Sequence, residues 1–189
     1  MSTRTVVTRL DGLLKPLGFE RQKQTWNRTS GSFVDAINVQ VSKAEHAITV
    51  NAGVMDPDVH RKCWGSSPCG WIDEPLCTVR TRIGALLGNT DVWWSLGDGT
   101  VVEEIAEAVA TQVLPFLDRM HARDAMEEFL VAAKVLKYRY PPESIYLAIL
   151  RHELGDHSGA CALLQELQQT TIGNWRTGIS EVSSRLGCS

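Results

Sequence analysis

The chain has 189 residues, of which 22% are charged and 43% hydrophobic, and its formal net charge is −3. These values fit a soluble globular protein of one domain, or one domain with an extension, large enough to bury a core without a staple. They argue against a general nucleic-acid binder, which carries a basic excess, and no 18-residue apolar window offers a membrane span.

From the N-terminus, Val6, Val7, Leu10, Leu13 and Leu14 recur at helical spacing. They predict a helix over about Thr3–Leu14, ended by Pro16 and Gly18. No apolar h-region follows Met1-Ser2-Thr3-Arg4, so no signal peptide is expected. Residues 19–21 and 25–29 read as short strands around a turn, and Ser30-Gly31-Ser32 turns into a longer strand at Phe33. There Ile37, Val39 and Val41 alternate with Asn38, Gln40 and Ser42. After a connection over residues 43–46, Ile48, Val50, Ala52 and Val54 alternate with Thr49 and Asn51. Such a period of two predicts an antiparallel pair with one packed face and one polar face. Residues 56–75 hold Pro57, Gly65, Pro68, Gly70 and Pro75 and read as one long loop. A strand is expected over residues 76–83, and a short apolar piece over 91–96 carries Trp93 and Trp94.

Beyond Gly99 the period becomes helical. Thr100-Val101-Val102-Glu103 has the capping-box pattern, and Val101, Ile105, Val109, Val113 and Leu117 step along one face. Pro115 predicts a kink or a division there. Further helices are expected over residues 123–137, 143–154, 157–168 and 175–186. Strands first and helices last make an α+β protein. It has an antiparallel sheet of about five strands, an N-terminal helix and a packing helix. An all-helical extension follows. A boundary near Met120 to Asp124 divides an α+β domain, 1–121, from a helical extension, 122–189, that packs on it.

Several motifs keep an order and spacing that go beyond this pattern. They are Leu17-Gly18-Phe19, Trp26-Asn27-Arg28, Ile37-Asn38-Val39-Gln40, Ser42-Lys43 and Thr49-Val50-Asn51-Ala52-Gly53-Val54. Cys77, Arg80-Thr81-Arg82-Ile83-Gly84, Trp93-Trp94 and Leu114-Pro115-Phe116-Leu117 complete them. Over about Leu10 to Leu117 the chain resembles a bacterial family, domain-of-unknown-function family 4304. The resemblance implies an N-terminal helix, an antiparallel sheet and a packing helix, and it implies no reaction. In the tail, Ile149-Leu150, Leu154-Gly155-Asp156, Ala160, Leu163-Leu164 and Leu167 resemble a single tetratricopeptide-like helical hairpin. One unit makes no solenoid, so a hairpin packed on the domain is expected.

Candidate chemistry centres on the polar sheet face. Asn38, Gln40, Thr49 and Asn51 share it, and Arg80 and Arg82 join from a third strand. Amides supply donors and acceptors, and an Arg fork suits a carboxylate or phosphate. Trp26 or Trp93 would supply a stacking wall. Asn38, Gln40, Asn51, Arg80, Arg82 and Trp93 are therefore the expected ligand- or partner-binding residues. Bracing of the fold, or contact with water, is the competing account of the same residues.

His60, Cys63, Cys69 and Cys77 lack paired metal-knuckle spacing, so no metal and no cofactor are expected. Five cysteines at irregular spacing, with Cys161 and Cys188 the last two, predict reduced thiols in a cytoplasmic protein and no disulfide. Asp56 and Asp58 form a carboxylate pair that is equally ordinary turn chemistry. Leu96-Gly97-Asp98-Gly99 lacks the Walker lysine, and no motif marks a catalytic residue. His121, His152 and His157 have no evident mates. The sequence thus favours a non-enzymatic module that binds another protein, with an immunity or antitoxin-like role as one form. The alternative is a small-ligand-binding or hydrolytic protein using the polar face. A cavity lined by Asn38, Gln40, Asn51 and Arg82 and capped by tryptophan would favour the alternative, and a flat exposed apolar patch the protein binder.

Overall fold

The structure, a computed structural model, describes residues 2–88, 91–97, 100–133, 141–171 and 173–188. Its backbone clusters into two compact units. One comprises Met1–Met55 and Trp71–Arg119, the other Asp56–Gly70 and Met120–Ser189. The chain leaves the first unit at Asp56 and returns to it at Trp71.

The first unit opens with α1 (Thr3–Leu14), which buries Val6, Val7, Leu10 and Leu14. A 3-10 turn over Lys15–Leu17 ends it at Gly18, whose φ of +86° is open to glycine at no steric cost. Strands β1 (Glu20–Gln22), β2 (Thr25–Ser30), β3 (Phe33–Val41) and β4 (Ala47–Met55) then follow as antiparallel neighbours. Short connections leave adjacent strands no other choice. β5 (Val79–Arg82) pairs with β4, as does the short β6 (Trp94–Ser95). Among the described residues the sheet has six strands, ordered β1-β2-β3-β4-β5 with β6 on β4. Ile37, Val39, Val50 and Ala52 are at most 1% exposed, so the alternating pattern sets the packed face as expected.

β5 is shorter than expected. Pro75 opens a 3-10 turn at Glu74–Leu76, and Ile83 already belongs to the short helix α3 (Ile83–Leu86). α4 (Val101–Ala108) and α5 (Leu114–Arg119) are joined by a π-helical turn at Val109–Val113. Pro115, which has no N–H to give the ladder, stands just after that turn. Val101, Ile105, Val109, Val113 and Leu117 are all buried. The capping box does not form. Thr100 donates to the Glu104 carboxylate at 2.6 Å, and Glu103 is drawn to Arg9 of α1. On the packed side Asp35 is fully buried, and Arg28 neutralises it at 2.7 Å while reaching Asp118 at 2.8 Å. Its guanidinium also lies 4.7 Å from the Phe19 ring centroid.

The second unit corrects the reading of residues 56–75 as a loop. Pro57–Trp64 is a helix, α2. Asp56 caps it by accepting from the backbone of Asp58 and Val59, Pro57 fills the first position, and Gly65 closes it at φ +77°. These are helix start and stop signals. Asp56 and Asp58 are accordingly structural. Arg123 donates to Asp56 at 2.6 Å, to Asp58 at 3.1 Å and to Glu153 at 3.3 Å. Lys62 also pairs with Glu153. Arg185 donates to the carbonyls of Lys62 and Cys63, both at 2.9 Å, and so satisfies the end of α2.

Four more helices complete this unit among the described residues: α6 (Arg123–Ala132), α7 (Pro141–Glu153), α8 (His157–Thr170) and α9 (Trp175–Leu186). The part of the expected helix beyond residue 133 lies outside the described residues. α7 and α8 form a hairpin through Gly155 at φ +92°, with Asp156 capping α8. His152 and His157 are mates after all, their rings 4.4 Å apart. Cys161 and Cys188 form a disulfide with their Cα atoms 5.2 Å apart, which corrects the expectation of five reduced thiols. α9 packs on α8 and brings two residues 27 apart together, a proximity that spacing along the chain does not encode.

α2 packs on α7 and α9, both of which follow Arg119. A chain ending at Arg119 retains α2 but exposes its buried Val59 and Cys63. We expect such a truncation to be less soluble and to melt below the full chain. A cooperative melt at the full-length midpoint would contradict this.

Burial pushes the Glu153 carboxyl up, but Lys62, His152 and Arg123 outweigh it and hold the group below its usual value of 4.5. Its contribution is therefore complete above that value and is lost as pH falls through the lower folded one. Glu153→Gln should lower stability at pH 7 and flatten the acid limb of a pH series of urea melts. Parallel acid limbs would contradict the assignment.

Candidate functional site

The polar face is set by parity. Thr25 opposes Asn38, Asn38 opposes Asn51, and Asn51 opposes Arg82, so four strands send these side chains to one side. The next row toward β3's N-terminus runs Asn27, Ala36, Gly53 and Arg80.

One half of this face is covered. Asn27 holds the returning chain by two bonds of 2.9 Å, donating to the Ile72 carbonyl and accepting from its N–H. Ile72 and Cys77 then close over Ala36 and Met55 as a small apolar cluster. Gly53 is what admits them. A Cβ there would lie 2.7 Å from Cys77 Cβ and 2.8 Å from the Val79 carbonyl oxygen.

The other half stays open as a groove of about 650 Å³. Asn38, Gln40, Asn51, Arg80 and Arg82 line it together with Thr25, Asp73, Glu74, Pro75 and Thr81. Asn51 donates to Gln40 Oε1 at 3.0 Å, and Asn38 donates to the Thr25 hydroxyl at 3.0 Å. Arg82 spends all three nitrogens, on Asn51 Oδ1 at 3.3 Å, Gln40 Oε1 at 3.3 Å and Asp91 at 2.6 Å. Trp93 adds a bond of 2.9 Å to Asp91, and its ring centroid lies 5.2 Å from the Arg82 guanidinium carbon. Hydrogen bonds from Arg82 and Trp93 hold the Asp91 carboxyl below its ordinary range. Arg80 stands 3.7 Å from Glu74. Thr49, on the same face, is fully buried with its hydroxyl unpartnered.

The structure thus brings five of the six expected residues into one groove and sets Trp93 against Arg82. Trp26 is different. It opposes Ile37, is fully buried on the packed side and donates to Asp11 at 3.1 Å, so it forms no wall here. Thr25, Asp73, Glu74 and Asp91 were not anticipated. Thr25 followed from the parity of β2; the three acids stand outside the strands, where no period places them.

Two of the free thiols, Cys63 and Cys77, are buried, and Cys69 is exposed. Burial raises the Cys77 thiol well above its ordinary value and pushes Cys63 up to about 12. Both stay protonated at neutral pH, whereas the nucleophile is the thiolate. His60 leans on the Trp64 ring, at 6.3 Å between centroids. Among the described residues no group of three or more His, Cys, Asp or Glu side chains is arranged to hold a metal.

Residues 10–119 match a family model described as a domain of unknown function, DUF4304. The chain belongs to the DUF4304 family. No curated protein and no solved structure matches it. The DUF4304 segment contains every residue of the groove and ends where the first unit ends, yet it also spans α2 of the second unit.

The groove's internal bonds make a separable prediction. Asn51 is 9% exposed and bridges Gln40 to Arg82, so Asn51→Ala should cost about 1–2 kcal/mol in urea melts. Gln40 is exposed, so water can replace its oxygen for Asn51 and Arg82, and Gln40→Ala should cost less than Asn51→Ala. Equal melts for wild type and Asn51→Ala would show that the network braces nothing.

Proposed function

We propose that this DUF4304 chain is a non-catalytic binding module whose sheet-face groove takes a hydrogen-bonding group of another protein. One observation carries the reading. The groove is held in shape by its own bonds, yet Asn38 Oδ1 and Gln40 Nε2 have no partner among the described residues. A fixed acceptor and a fixed donor favour association because little ordering remains to be done. Arg82 is a positioning residue here. Its fork is already neutralised by Asp91 and filled by amides, so the groove favours neutral amide or hydroxyl groups over a carboxylate or phosphate.

The groove's concavity favours a second reading, a small polar ligand bound at the same place. The narrower protein reading is an immunity or antitoxin-like protein of the bacterial cytoplasm. It rests on analogy with small α+β proteins that lack catalytic motifs. A toxin gene beside this one would support it.

Gln40→Ala is the test, because its fold should be intact. Wild type and variant serve as baits in lysate of the source organism. We expect a protein whose recovery falls about tenfold with the variant, equivalent to about 1.4 kcal/mol. Equal recovery of every captured protein by two baits of equal melting point would count against the groove. A thermal-shift panel of free amides, sugars and amino acids tests the second reading, and a rise abolished by Gln40→Ala would favour it.

A further inference from the structure

The second unit carries a feature that binding at the sheet face does not use. Cys161 lies within α8, and Cys188 lies just past the end of α9, where Gly187 at φ +71° turns the chain. Both cysteines are half-buried rather than enclosed. They line a groove of about 800 Å³ with Ser158, Gln165, Ser180 and Ser184. Gln168 crosses this groove to Ser180 at 3.0 Å, while its side-chain oxygen is buried without a partner.

We propose that Cys161 and Cys188 form a reversible dithiol–disulfide site, opened by an external dithiol reductant, that clasps the segment after α9 to α8. The inference goes beyond the binding role and does not rest on it.

Three observations support it. First, the helices have their own apolar contact. Leu163, Leu164 and Leu167 of α8 and Ile179, Val182 and Leu186 of α9 are all buried, so the unit keeps a core when the bond opens. Second, the linked residue sits one position beyond the helix cap, so release breaks no helix. Third, the bond is insulated from the thiol of α2. Cys63 is buried and held protonated, and only a thiolate attacks a disulfide. Exchange is therefore left to partners arriving from outside.

The step is balanced as a two-electron transfer. A thiolate of the reductant attacks one sulfur, the S–S bond breaks, and the displaced sulfur takes up a proton. The reductant's second thiol then resolves the mixed disulfide. Two protein thiols and one cyclic disulfide of the reductant result.

The test uses the full chain, equilibrated with graded ratios of reduced to oxidised dithiothreitol, capped with N-ethylmaleimide while folded, and weighed intact. We expect the adduct count to rise from one, at the exposed Cys69, to three in a single step, with Cys63 and Cys77 unlabelled. Amide exchange over residues 173–188 should quicken roughly tenfold or more on reduction, while the sheet is unchanged. The double variant Cys161→Ser, Cys188→Ser should show the faster exchange whether or not the dithiol is present. The proposal is overturned if the pair stays disulfide-bonded at every ratio. Labelling of Cys63 or Cys77 together with the pair would also overturn it, since the bond would then be a staple of the unit. So would exchange in the double variant equal to that of the oxidised protein.

Discussion

Asn38 faces Asn51, and Gln40 faces Thr49, across the hairpin of β3 and β4. That register places the groove residues that the strands contribute. A slip of one residue would turn the amides into the core and Ile37, Val39 and Val50 toward solvent, so the apolar set enforces the polar one. β2 and β5 then read off the same ladder and bring Thr25 and Arg82 to the two ends of one row. The chemistry of the face is thus a by-product of packing on its reverse. Arg82, Gln40 and Asn51 are bonded to one another across the groove.

The same face shows how one strand pair serves two purposes. Where the row contains Ala36 and Gly53, the backbone can be approached, and the segment around Ile72 and Cys77 lies down on it. Where the row contains Asn38 and Asn51, polar side chains need hydrogen-bonding company, and an apolar segment would leave them unpaired. The border between covered and open sheet follows the step from one row to the next. Asn27 stands at that border and fixes the covering segment by its backbone, independently of what side chains it carries.

Much of this was legible in the sequence, because period-two alternation over residues 33–54 needs no tertiary information. The gathering of Arg80 and Arg82 beside Asn51 followed from the same parity. What escaped had particular causes. α2 was taken for loop because its Pro57 and Gly65 are breakers in the interior of an element but signals at its ends, and only the capping bonds of Asp56 decide between the two. Of the two tryptophans the sequence offers as a wall, Trp26 lies on the packed face, because nothing in a six-residue strand says which parity meets the core; its pairing with Ile37 does. Asp91, which pairs with Arg82, approaches from an irregular stretch. The Cys161–Cys188 link depends on how two helices meet.

The passage of residues 56–70 into the second unit has a consequence for synthesis. On the ribosome, α2 emerges before any of the helices it packs on, and α9 follows all the other described elements. Contacts between α2 and α9 span more than a hundred residues, and such long-range closure is slow because its entropy must be met before the contacts reward it. While translation continues, the nascent chain carries an amphipathic segment with its apolar side open, a state that invites chaperones and misassociation. Growth from the N-terminus can therefore complete the sheet early, but the helical unit closes only when α9 has been released.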